Sequence, residues 1–82
     1  MGRSARAKPR RLGRKLRAIR LDILGLSQTE MSKALGLKVD YSAVSQYELG
    51  TREPGLLIVL KYARLAGVST DVLIDDKLDL PN

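Results

Sequence analysis

The chain has 82 residues, a formal net charge of +6, and no cysteine, histidine, tryptophan or phenylalanine. That length allows one domain. The missing cysteines exclude a disulfide framework or thiolate metal site, and the missing histidines remove the commonest general base and metal ligand. Nothing therefore points to an enzyme, a metal or a cofactor. The charge is uneven: residues 1–20 hold nine Lys/Arg and no Asp/Glu, whereas residues 21–82 hold six Lys/Arg and nine Asp/Glu. A basic arm on a near-neutral body is the footprint of a polyanion binder, with a solubilising tail as the plainer reading.

Residues 1–11 carry Arg3, Arg6, Lys8, Arg10 and Arg11 without apolar periodicity. Pro9 discourages helix before it, so this stretch reads as a disordered arm that orders on phosphates. A first helix is expected over residues 10–24. Leu12, Leu16, Ile19 and Ile23 form a single stripe, Arg14, Lys15, Arg17 and Asp22 lie off it, and Gly25 ends the helix. Ser27 with Glu30 three residues on is a capping box. It opens a second helix, Gln28–Leu35, with Met31, Ala34 and Leu35 on one face and Gly36 as its stop. After a turn at residues 37–39, Asp40 caps a third helix, Tyr41–Leu49, which Gly50 ends.

The third helix turns Val44 and Tyr47 inward and leaves Tyr41, Ser42, Ser45 and Gln46 outward. An outward face of short hydrogen-bonding side chains, on a helix held by another helix, suits the reading of base edges in a DNA groove. The Tyr41 ring could equally meet a thymine methyl or pack on the turn. Pro54 shapes a loop over residues 51–55. The fourth helix, Leu56–Ala66, is apolar nearly all round. In so small a chain no helix can be buried on every side, which makes Leu57, Ile58 and Leu65 candidates for a dimer interface. The other reading is a thicker core closed by Leu78 and Leu80. Gly67 ends this helix, Ser69 caps a short fifth one with Val72, Leu73 and Ile74, and residues 75–82 form an acidic tail. The longest aliphatic run, Leu56 to Leu60, is far shorter than the roughly 20 residues of a membrane span. The expectation is an all-α chain of five helices: arm 1–11, helical domain 12–74, tail 75–82.

Several pieces recur together in a known family. They are Gly25-Leu26-Ser27-Gln28, then Ala34-Leu35-Gly36, then Ser42-Ala43-Val44-Ser45-Gln46-Tyr47-Glu48-Leu49-Gly50, then Glu53-Pro54, then Gly67-Val68-Ser69 with Asp71 and Leu73. In that order and near those spacings, over residues 12–74, the chain resembles the phage-repressor-like (Xre/Cro-type) helix-turn-helix DNA-binding domain. The resemblance implies a compact five-helix, lambda-repressor-like fold acting as a homodimer on pseudo-palindromic operators in double-stranded DNA. It implies transcription regulation, chiefly repression, in the cytoplasm of a prokaryote or for a phage, in association with the nucleoid and away from membranes. The domain also occurs in antitoxins, which leaves room for a protein partner such as a toxin.

By the same resemblance, Tyr41, Ser42, Ser45 and Gln46 contact bases. Gln28 contacts the DNA backbone, and Arg20 pairs with Glu48. Further backbone candidates come from the residues themselves: Thr29, Thr51 and Arg52 beside the ends of the second and third helices, Arg10 and Arg11 in the basic arm, and Lys38 in the turn before the third helix. The chain departs from the common pattern twice. It is two residues longer between Gly36 and Val44, and one residue longer between Arg20 and Gly25.

Overall fold

A computed structural model of the chain describes residues 9–36 and 40–81. Most of the expected arm (residues 1–8) and the turn that carries Lys38 lie outside the described residues. Among these the chain is all-helical, as expected, with no strand. Its elements are α1 (Leu12–Ala18) running on into a π-helical turn (Ile19–Ile23), α2 (Gln28–Leu35), α3 (Tyr41–Leu49), α4 (Leu56–Ala66) and α5 (Thr70–Ile74).

The π-helical turn takes one more residue than an α-helical turn would. The Leu24 N–H donates to the Ile19 carbonyl, five residues back, at 2.9 Å. One extra residue in a turn displaces the following side chains by about 100°. The stripe therefore leaves Ile23, which is 41% exposed rather than inward, and passes to Leu24, which packs against the core. Local chemistry sets the next two helices. The Ser27 hydroxyl accepts the Glu30 N–H at 3.0 Å while the Glu30 carboxylate accepts the Ser27 N–H at 2.8 Å. Asp40 accepts the Ala43 N–H at 2.9 Å. Both helices end on glycines in the left-handed region, Gly36 and Gly50, where other residues would be strained.

The core is aliphatic around one ring. Leu16, Ile19, Met31, Leu35, Val44 and Leu73 are fully buried with Tyr62. The Tyr62 hydroxyl has no hydrogen-bond partner among the described residues, and burial raises its pKa. Helix α3 packs on both α1 and α2. Of the three interface candidates on α4, Ile58 is a core residue, because its position on the helix faces inward with Val59 and Tyr62; Leu57 and Leu65 remain exposed, as does Leu56. The two readings of α4 thus divide. Leu80 packs against the core, Leu78 is exposed, and Leu56, Leu57 and Leu65 stay uncovered.

The acidic tail is part of the fold. The Asp76 carboxylate accepts the backbone N–H groups of Arg10 (2.9 Å) and Arg11 (3.1 Å), at the start of α1, where Arg11 supplies no side-chain cap. The Arg11 guanidinium donates to the Asp76 carbonyl at 2.7 Å and pairs with Asp79. Lys15, expected in solvent, is buried. Its ammonium donates to the carbonyls of Val72 (2.7 Å) and Asp75 (2.9 Å) at the end of α5, where the last carbonyls of a helix lack partners within it.

Candidate nucleic-acid interface

The site is built on α3, whose two faces differ as the sequence pattern requires. Ala43, Val44 and Tyr47 are buried, while Tyr41, Ser42 and Gln46 are exposed and Ser45 is half-buried. Tyr41 is 61% exposed among the described residues. Ser42 has a defined polarity. Its hydroxyl donates to the Asp40 carboxylate at 2.8 Å, so outward it offers only acceptor lone pairs. That bond, followed by the Ala43 N–H, holds the Asp40 carboxyl below the usual range.

An ion pair fixes α3 against the end of the first helix. Arg20 Nε donates to Glu48 Oε2 at 2.5 Å and Arg20 Nη2 to Glu48 Oε1 at 3.0 Å, with side chains only 9% and 5% exposed. The third guanidinium nitrogen, Nη1, donates to the Leu26 carbonyl at 3.0 Å, and the Leu26 N–H returns a bond to the Arg20 carbonyl at 2.8 Å. The hydrogen bond that Arg20 donates to Glu48 raises the Arg20 pKa. Gln28, half-buried, adds its amide to Glu48 Oε1 at 3.4 Å. One carboxylate thereby ties together the first helix, the start of α2 and the end of α3. Such planar, bidentate geometry is the arrangement arginine supplies and lysine does not.

Past α3, the N–H groups of Thr51 and Arg52 both donate to the Gln46 carbonyl, at 3.1 and 3.3 Å, and the Arg52 guanidinium lies 5.8 Å from the centre of the Tyr47 ring. Thr29, Thr51 and Arg52 are exposed. Arg10 is exposed, but Arg11 is engaged by the tail, and Lys38 lies outside the described residues. A groove of about 440 Å³ separates the start of α1 from the loop after α3, and Arg10, Arg14 and Arg52 line it. Arg14 lies off the apolar stripe of α1, and nothing local in the sequence shows which loop faces it. Gly13 is an isolated glycine inside the helical pattern, where propensity disfavours it.

A short helix locked across a second helix by a shared carboxylate, with its outer face polar and unpacked, defines a helix-turn-helix protein. The helix-turn-helix family HTH_3 matches residues 16–73, and the chain belongs to that family. Among solved structures it is similar to the P22 c2 repressor protein in complex with synthetic operator 9T in the presence of Tl+. The two share 29% identity over 79% of this chain and 94% of that one, with a TM-score of 0.69. No curated protein matches the chain significantly.

Proposed function

We propose that the chain is a sequence-specific double-stranded DNA-binding regulator of transcription, acting as a repressor dimer, with α3 in the major groove. The observation that carries this reading is the outer face of α3: Tyr41, Ser42, Ser45 and Gln46 on a helix whose opposite face is core and whose axis Arg20 and Glu48 hold in place. The similar P22 repressor, in its complex with an operator, supports it. Gln46 can pair bidentately with adenine, and Ser42, as an acceptor, favours the amino groups of adenine or cytosine. Gln28, Thr29, Thr51 and Arg52 flank that face and would meet phosphates, whose contacts position the protein without specifying sequence.

The exposed apolar side chains Leu57 and Leu65 on α4 support self-association. A two-fold dimer would read half-sites about one helical turn, roughly 34 Å, apart. Selection of bound fragments from a random duplex pool tests the reading: an inverted repeat with that spacing is expected. Fragments without a shared sequence would reduce the chain to a non-specific binder. Sedimentation should show a dimer for the wild type and a monomer for Leu57→Glu.

A further inference from the structure

We propose that the groove between α1 and the loop after α3 seats a backbone phosphate of the duplex, held by Arg10, Arg14 and Arg52. This rests on the duplex-binding reading above. The groove is concave and narrow at its base because Gly13 has no side chain. A Cβ there would lie 2.6 Å from the Glu48 carbonyl oxygen. Three arginines line it: Arg10 just before α1, Arg14 in its first turn, and Arg52 from the loop. Among the described residues no ion pair occupies any of the three; the pairs there are Arg11 with Asp79 and Arg20 with Glu48. Of the two carboxylates that line the groove, Glu48 is spent on Arg20, which leaves Glu53 facing three arginines. The groove therefore carries a net positive charge in fork-shaped donors, which match a phosphodiester oxygen pair. Its position suits a DNA strand, since Thr51 and Arg52, directly past the end of α3, form its other wall.

The same geometry separates two cations that look alike in the sequence. Arg14 faces the groove. Arg11 does not line it, and its guanidinium is turned to the tail, on the Asp76 carbonyl and the Asp79 carboxylate. The phosphate contact of α1 accordingly belongs to Arg10 and Arg14 rather than to Arg10 and Arg11.

Duplex affinity measured over a series of salt concentrations tests this with the full chain, Arg14→Gln and Arg11→Gln, each verified as folded by its melting curve. Each lost phosphate contact lowers the slope of log affinity against log salt by about 0.9. Arg14→Gln is expected to lose that amount and to weaken binding by one common factor on every duplex, while Arg11→Gln keeps the wild-type slope. An unchanged slope for Arg14→Gln beside a salt-dependent wild type overturns the groove assignment alone, as does a loss in Arg11→Gln equal to that in Arg14→Gln. A wild type that binds no duplex overturns the underlying reading as well.

Discussion

Gly13 sets two well-known effects against each other. Inside a helix, alanine is more favourable than glycine by about 1 kcal/mol, so propensity alone makes Gly13→Ala stabilising. A Cβ at this position, however, would lie 2.6 Å from the carbonyl oxygen of Glu48 and 3.0 Å from that of Tyr47. Both atoms are backbone, so no rotamer change relieves the contact, and α1 must move away from α3. Forced overpacking of this kind costs typically about 1–3 kcal/mol, and here it also disturbs the helix pair that places the polar outer face of α3. The clash outweighs the propensity. Gly13→Ala should lower the thermal midpoint, by about 4–8 °C for each kcal/mol lost in a domain of this size. A midpoint equal to or above that of the wild type would show that the two helices separate at no cost.

Arg20 and Glu48 act through what they join. Both side chains are nearly fully buried, so removing one leaves the other charged and unpaired, at a cost of about 3–5 kcal/mol. Glu48→Gln should cost that much in denaturant melts. Replacing both residues by methionine should cost less than Glu48→Gln alone, since no orphaned charge remains. A double variant at least as unstable as Glu48→Gln would mean that the single change costs the lost attraction of the pair and not an orphaned charge. The elements so joined were unequally legible in the chain. Helices α2 and α3 could be bounded because Ser27, Glu30, Gly36, Asp40 and Gly50 act within a few residues of themselves. The inward turn of Ile58 and the outward turn of Ile23 could not. The first depends on how α4 docks, and the second on a π-helical turn that takes up one residue beside Arg20. Lys15 looked like a solvent residue because its partners, the carbonyls of Val72 and Asp75, belong to the far end of the chain. The polar face of α3 was visible as a pattern, whereas the arginine-lined groove needs two segments brought together by the fold.

The molecule as a whole is closed by its own ends, and this makes its stability sensitive to acid. Four carboxylates are held below their ordinary range. Glu30 is lowered by the Ser27 N–H and then the Ser27 hydroxyl, Asp40 by the Ser42 hydroxyl and then the Ala43 N–H. Asp76 is lowered by the N–H groups of Arg10 and Arg11, and Asp79 by the Arg11 guanidinium. With depressed values in the folded state, the unfolded chain binds more protons wherever the pH nears the ordinary carboxylate pKa of about 4. The stability these groups contribute is present above that pH and is lost as the pH falls through the lower folded-state values. With no histidine in the chain, no side chain has an ordinary pKa between about pH 5 and 8. The thermal midpoint should therefore be level across that range and fall below about pH 4. Two of the four carboxylates belong to the tail, where Asp76 caps α1 and Asp79 holds Arg11, so acid should release the tail from the start of α1. Asp76→Asn gives the decisive comparison. At neutral pH it should melt below the wild type, because the carboxylate no longer caps the two N–H groups, and between pH 7 and pH 3 its midpoint should fall by less. An equal fall in the two proteins would place the acid response in the caps of α2 and α3 instead of the tail.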